Sequence, residues 1–475
     1  MKKLVSLVLV LAMVLSLAAC SGGNQEPAAP AAEPAEAAAP AAPEAAAPAA
    51  EEPAAAPVES KLIYGTTSSM SGDLGQFQWS SLGGDRPVIG LINAMAPTAF
   101  DQNARWVWDQ MVVAEHDSVN NEDGTLTYTI TLNDGLKWSD GSPMNAKNYV
   151  AYYLLFSSPV AAAQSAYATA GREFIGQQDY KDGVTKAFKG VELVDDLTYR
   201  VTMSSDYNPS YDGPSILCNG SQMIPVDYKQ WLGDDAADVA DDGEGAYFVT
   251  SKEFNNDNYG KQINDFRFVY EGRNCSGPYY LESWDVAANE AVLKINPNYP
   301  GNFEGQKASI ETIVVKLVNS ATMLDQLKNG EVDLIDGIGE GDMINAALDM
   351  EEAGGFATNV YKYSGYMKLF YQCDWGPTQF DAVRQAITYL TNREAMTQEA
   401  TLGYGNVTNG QYSMAQWMAQ ELEEELATEL NQYPYDPAKA VELLKEDGWV
   451  YNADGSDYET AAASSATRRF PTKRP

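Results

Sequence analysis

Residues 125–132 alternate without a break. Thr125, Thr127, Thr129 and Thr131 interleave with Leu126, Tyr128, Ile130 and Leu132. Successive strand side chains point to opposite faces, so this pattern predicts a strand with one buried face and one half-solvated Thr face. Asp123-Gly124 turns the chain into it, and Asp134-Gly135 turns it out. Two glycine-centred turns then flank Trp138, and Asn145 stands where a helix over 146–156 needs its N-cap. That helix is apolar nearly all round (Tyr149, Val150, Tyr152, Tyr153, Leu154, Leu155, Phe156), which predicts burial on every side. Lys61-Leu62-Ile63-Tyr64-Gly65 reads as an earlier strand, with residues 66–75 as the loop leaving it. In open α/β folds, ligands meet such loops at strand ends.

The flanks are a different material. Lys2 and Lys3 precede an apolar run over 4–17, too short to span a bilayer as a stable helix. Leu17-Ala18-Ala19-Cys20 follows, with small residues before a cleavage point and a thiol after it. This predicts a lipoprotein signal peptide over 1–20, with Cys20 as the lipidated residue. Residues 21–60 are mostly Ala, Pro and Glu and contain no aromatic residue, so they read as a disordered tether. The remaining stretch, about 400 residues, is too long for one small core and predicts two or more lobes. No other stretch has the ~18 apolar residues of a membrane span.

The formal charge of -35 argues against nucleic acid, whose phosphates need a basic face. It reads as solubility at an exposed surface. The acidic run Asp234, Asp235, Asp238, Asp241, Asp242, Glu244 lacks alternating calcium-loop spacing and is expected to be a solvated loop. Residues 467–475 run against the grain, with Arg468, Arg469, Lys473 and Arg474 and no acid. The expectation is an atypical basic tail over 460–475, produced by a shifted frame or a broken gene after about residue 459.

Catalytic machinery is hard to find. His116 is the single histidine, and no GxSxG, HExxH or GxxxxGK[ST] run occurs. Cys218, Cys275 and Cys373 include no CxxC, leaving room for one disulfide or for three unpaired thiols. No enzyme activity, cofactor or metal is expected.

Six blocks in order carry a resemblance. Tyr128 to Ala146 reads Y-x-I-x-L-x-D-G-L-K-W-S-D-G-x-P-x-x-A. Cys275-Ser276-Gly277-Pro278-Tyr279-Tyr280-Leu281 is followed by Trp284, then by Asn296-Pro297-Asn298-Tyr299. Leu327-Lys328-Asn329-Gly330-Glu331-Val332-Asp333 comes next. Val383-Arg384-Gln385-Ala386-Ile387 leads to Asn392-Arg393-Glu394, and the last block runs from Tyr435-Asp436-Pro437 to Gly448-Trp449. Together they resemble the bacterial extracellular solute-binding proteins of family 5, the oligopeptide- and dipeptide-binding lipoproteins of ABC transporters. Each block also has a local physical reading. Asp436 caps a helix with Pro437 in its first turn and Gly448 as its stop. Asn329-Gly330 ends a helix carrying Met323, Leu324 and Leu327, before a strand starting at Val332. Arg384 lies on a helix with the stripe Val383, Ala386, Ile387, Leu390. Trp138, Arg384 and Trp449 therefore read as scaffold.

The resemblance implies an α/β, two-lobed periplasmic-binding-protein-like fold (type II, with an extra subdomain in the first lobe), second lobe incomplete. Lobe I would span 61–316 with an inserted subdomain about 112–250, and a partial lobe II would span 317–459. It implies capture of peptides between the lobes, held through their main chain, and delivery to an ABC permease with its ATPase subunits. The protein would be extracytoplasmic, attached to the membrane through its N-terminal lipid only. Candidate ligand contacts are Thr66 and Thr67 after the first strand, Tyr371 and Trp375 before the Arg384 helix, and Tyr404 and Trp417. The aspartate that pairs with a ligand's α-amino group in peptide-binding members has no counterpart here. Alternatives are another solute such as chelated nickel or a sugar, a peptide-sensing surface lipoprotein, a secreted hydrolase, or a non-functional relic.

Overall fold

The first strand of the folded chain becomes a central one. A computed structural model describes residues 60–457, apart from 81, 104, 165–167, 208–222, 234–235, 364 and 453–454. Cys20, the tether before residue 60, Cys218 and the 460–475 tail lie outside the described residues. β1 (Lys61–Thr66) pairs in parallel with β12 (Thr312–Leu317) on one side and β13 (Leu334–Ile335) on the other. β11 (Glu290–Ile295) and β10 (Tyr279–Asp285) extend the sheet antiparallel, in the order β10-β11-β12-β1-β13. α1 (Arg86–Ile92) buries Val88, Ile89 and Ile92. Val88 and Ile92 join Leu74, Cys275, Leu281, Leu293 and Val315 in one core.

A second, antiparallel sheet has the order β4 (Val113–Asn120), β5 (Leu126–Leu132), β7 (Thr198–Met203), β6 (Val191–Leu193). In β5 the four even-numbered residues are buried and the Thr residues between them are half-buried, as the alternation required. α2 (Ala146–Phe156) is buried along almost its whole length. Its start carries a reciprocal cap: the Asn145 side chain accepts from the Lys147 N–H at 3.1 Å, and the Asn148 side chain accepts from the Asn145 N–H at 2.9 Å. The short helices α3 (Pro159–Ala163), α4 (Gln177–Lys181) and α5 (Tyr228–Leu232), with α6 (Asn256–Phe266), complete this larger core. β2 (Thr98–Phe100) and β3 (Trp106–Trp108) form a separate hairpin.

The acidic run is not a solvated loop throughout. Asp234 and Asp235 lie outside the described residues, and Asp242 and Glu244 are exposed in the turn, but Asp238 and Asp241 belong to the hairpin of β8 (Ala236–Asp241) and β9 (Ala246–Thr250). Those two carboxylates tie the hairpin down: Asp238 takes Lys147 Nζ at 2.7 Å, and Asp241 accepts from the Leu193 N–H at 3.0 Å. Gly243 and Gly245, both at positive φ, supply the reversal that the neighbouring acids disguised.

Beyond β12 the chain is mainly helical: α7 (Met323–Lys328), α8 (Gly341–Ala353), α9 (Asp381–Leu390), α10 (Arg393–Thr401), α11 (Trp417–Glu421), α12 (Glu423–Glu429) and α13 (Pro437–Glu446). Asp436 caps α13 by accepting from the Lys439 N–H at 2.9 Å, and Gly448 follows at φ 86°. α9 packs along α13, with Phe380 edge-on to Trp449. The apolar stripe of α9 is less covered than its spacing implies: Ala386 is buried, Val383 and Ile387 only half-buried, and Leu390 exposed. The strand expected from Val332 is reduced to the two residues of β13. Residues 359–372 make no backbone–backbone hydrogen bond among the described residues. Their apolar side chains stand open, Met367 at 94% and Phe370 at 82% exposure. Cys275 is buried and Cys373 exposed, and both are free thiols.

Candidate ligand-binding site

The loop between β1 and α1 is held from three directions. Asp85 is fully buried, and its carboxylate accepts from the Ser71 N–H at 2.7 Å, from the Ser71 hydroxyl at 2.7 Å and from the Ser80 hydroxyl. Asn289, at the β10–β11 turn with φ 51°, clasps Met70: it accepts from the Met70 N–H and donates to the Met70 carbonyl, both at 2.9 Å. Asp73 pairs with Arg267 from the end of α6, whose guanidinium lies 4.5 Å from the Trp79 ring centroid. Burial pushes the Asp73 carboxyl up, and the Arg267 charge opposes that rise. Gly84 sits against the Ser68 and Ser69 carbonyls, where a Cβ would lie 2.5 Å from the Ser69 oxygen. The result is a rigid loop that presents Thr67, Ser68 and Ser69 to solvent at the carboxyl end of β1.

Thr66 is buried. Its hydroxyl lies 3.3 Å from both the Ser68 N–H and the Ser68 carbonyl, so the side chain shapes the loop. Thr67 is exposed. Tyr371 is half-buried, with its hydroxyl 3.3 Å from that of Thr388 on α9. Trp375 stands 70% exposed. Tyr404 donates to Asn345 of α8 at 2.8 Å. Trp417 is half-buried, its ring 5.0 Å from the Arg105 guanidinium. No hydrogen bond or ring contact joins any two of Tyr371, Trp375, Tyr404 and Trp417 among the described residues. Thr66 and Thr67 are thus adjacent where β1 runs into its preformed loop, whereas no contact among the described residues joins the four aromatic candidates.

Where the sheet hands over to the helical part, Asp336 after β13 accepts from Tyr64 of β1 at 3.3 Å and from Tyr361 at 2.6 Å. The bond to Asp336, ahead of burial, pushes the Tyr361 hydroxyl up to about 12. Burial, then Asp336, raises Tyr64 further still. Both hydroxyls stay protonated and act as donors. The single histidine, His116, stacks on Trp108 with ring centroids 4.1 Å apart, at the rim of an open recess of about 720 Å³ that Trp106, Gln110 and Asn133 also line. No group of three or more His, Cys, Asp or Glu side chains comes together as metal ligands among the described residues.

Residues 110–472 match the family described as bacterial extracellular solute-binding proteins, family 5 middle. The chain belongs to family 5. A dipeptide-binding protein of Lactococcus lactis subsp. cremoris (strain MG1363) is 26% identical over 347 residues, covering 69% of this chain and 55% of that protein. The oligopeptide-binding protein OppA of Lactococcus lactis subsp. lactis is 25% identical, over 69% of this chain and 50% of that protein. The chain spans about half the length of the curated relatives it matches. Lactococcal OppA, complexed with an endogenous peptide in the closed conformation, superposes with a TM-score of 0.57 at 20% identity, covering 84% of this chain and 70% of that one. That likeness shows the fold, which is the two-lobed α/β architecture expected of family 5.

Asp85, Asn289 and Asp336 were missed by sequence reasoning. Asn289 left a signal, since Asn is among the few non-glycine residues that accept positive φ in a tight turn. The others resemble ordinary surface charge.

Proposed function

We propose that this chain is the extracytoplasmic substrate-binding component of an ABC importer, capturing peptides between its two lobes and passing them to a membrane permease driven by ATPase subunits. The family match over 110–472 carries this reading. The named activities of the dipeptide- and oligopeptide-binding relatives support it. The pinned β1 loop supplies a preformed rim of exposed backbone and hydroxyls at Thr67 to Ser69, the kind of surface that recognises a peptide main chain without reading its side chains. Trp375 and Tyr404, with their exposed rings, are the leading ligand contacts on the second lobe. The chain acts as a binder, in keeping with its membership of a solute-binding family. Cys20 carries the lipid that ties the tether to the outer face of the membrane. Lobe I runs over 61–316, with its inserted subdomain about 112–250.

One further reading has a specific observation behind it. NikZ of Campylobacter jejuni, in complex with Ni(L-His), superposes with a TM-score of 0.54 at 19% identity. A chelated metal needs few protein ligands, so the single histidine does not oppose it.

Thermal unfolding of the 60–475 protein separates the two. A ligand that binds only the folded state raises the melting temperature by mass action. A pooled di- to octapeptide library is expected to raise it, and nickel with excess L-histidine is not. A rise with nickel–histidine alone would replace peptide with chelated metal, and no rise with either would refute both.

A further inference from the structure

The hairpin of β2 and β3 meets α11, far along the chain, through Arg105. Its tip is stiffened by Asp101, whose side chain accepts from the Asn103 N–H at 2.8 Å and the Arg105 N–H at 2.9 Å, while the Asp101 N–H donates to the Arg105 carbonyl at 2.8 Å. This fixes the backbone of Arg105 and aims its side chain. The guanidinium lies 5.0 Å from the centre of the Trp417 ring and donates to the Glu421 carboxylate. Trp417 and Glu421 are four residues apart on α11 and therefore share one helical face. α11 is itself anchored. Ala419 is buried, and Ser413 just before the helix donates to the Tyr363 carbonyl at 2.8 Å. β12 and β13 both pair with β1 in one sheet, and the Arg105 contact is made outside those strands. α8 joins Ile63 of β1 in one hydrophobic cluster, whereas the elements before β12 and the helices α9 to α13 share no extensive packing among the described residues.

We propose that Arg105, Trp417 and Glu421 form a latch that holds the two lobes closed. This rests on the two-lobed capture reading. A planar guanidinium suits the task because one group can stack on an indole and bond a carboxylate at the same time. The Arg105 and Glu421 side chains are each 53% exposed, so water competes for both and the latch opens readily. An exposed ion pair and an exposed cation–π contact together set its strength at on the order of a fivefold bias toward the closed form. Trp417 then acts on ligand affinity through closure, without touching the ligand. Because an open lobe pair binds poorly, loss of the latch weakens apparent affinity by no more than the change in closed population.

The test uses the full chain without ligand, with fluorophores introduced through non-natural amino acids at the exposed positions Val184 and Glu399. Single-molecule energy transfer reads the closed fraction. R105A is expected to lower the closed-to-open ratio about fivefold, and R105K, which keeps the charge and loses the planar stack, to fall between R105A and the parent. E421Q is expected to lower it less than R105A and to have no further effect in the R105A background. Added salt should weaken the parent and spare R105A. An unchanged distance distribution in R105A, or R105A and E421Q effects that simply multiply, would overturn the latch. Circular dichroism checks folding of each variant, and E421Q, at a position half open to water, carries the test if R105A does not fold. Since no peptide is present, failure of the latch is separate from failure of peptide binding, which the melting experiment reads by itself.

Discussion

Asp109 offers the sharpest check on the packing of the first lobe. It lies between the β2–β3 hairpin and β4, 6% exposed, and its carboxylate accepts from the Met111 N–H at 2.9 Å. Burial, opposed only by that hydrogen bond, pushes its pKa from the ordinary 3.8 up to about 6. A carboxyl raised on folding binds its proton more tightly in the native state. Its contribution is therefore fully favourable below pH 3.8 and is lost as pH rises through about 6. The cost of keeping it ionised at neutral pH is about 3 kcal/mol by linkage, and residual solvent access reduces this to about 2 kcal/mol. D109N keeps the acceptor for Met111 and removes the charge. It is expected to be more stable than the parent by about 2 kcal/mol at pH 7.5 and to lose that advantage below pH 4. Urea unfolding of the 60–475 protein at the two pH values reads the difference directly. An advantage that does not change with pH, or a parent more stable at pH 7.5, would refute the reasoning.

Other substitutions probe different links. N145A removes half of the reciprocal cap on α2 and is expected to cost about 1 kcal/mol, read from the urea midpoint. G277A places a Cβ 2.5 Å from the Ile92 carbonyl carbon and 2.8 Å from the Asn93 nitrogen, so backbone must move; soluble yield and melting temperature should both fall sharply. R267M leaves Asp73 buried without its cation and is expected to cost about 3–5 kcal/mol at pH 7, with part recovered when D73N is added. M367S with F370S, at two open positions of 359–372, should reduce light scattering on concentration while leaving the urea midpoint within about 0.5 kcal/mol of the parent.

Local chemistry was legible wherever the cause was local. The alternation over 125–132, the Asn145 cap, and the Asp436-Pro437 start and Gly448 stop of α13 each need only a few neighbouring residues. All three are in the structure as read. At β8–β9 charge density masked a hairpin: Lys147 pairs with Asp238 and the Leu193 N–H bonds Asp241 from distant parts of the chain, while Asp242 and Glu244 stay exposed as expected. The α9 stripe was read correctly as apolar but does not reveal how much of it is covered, because coverage depends on what packs against the helix.

The candidate site divides in the same way. The sequence alone placed Thr66 and Thr67 at the end of the first strand, because a short apolar run followed by small polar residues defines that position. It could not show that Thr66 turns inward while Thr67 stays open, since that follows from Asp85, Asn289 and Arg267 converging on one loop. Nor could it pair Arg105 with Trp417 and Glu421. Periodicity and capping act over a few residues, but that contact joins positions 316 apart, and only the folded backbone brings them within reach.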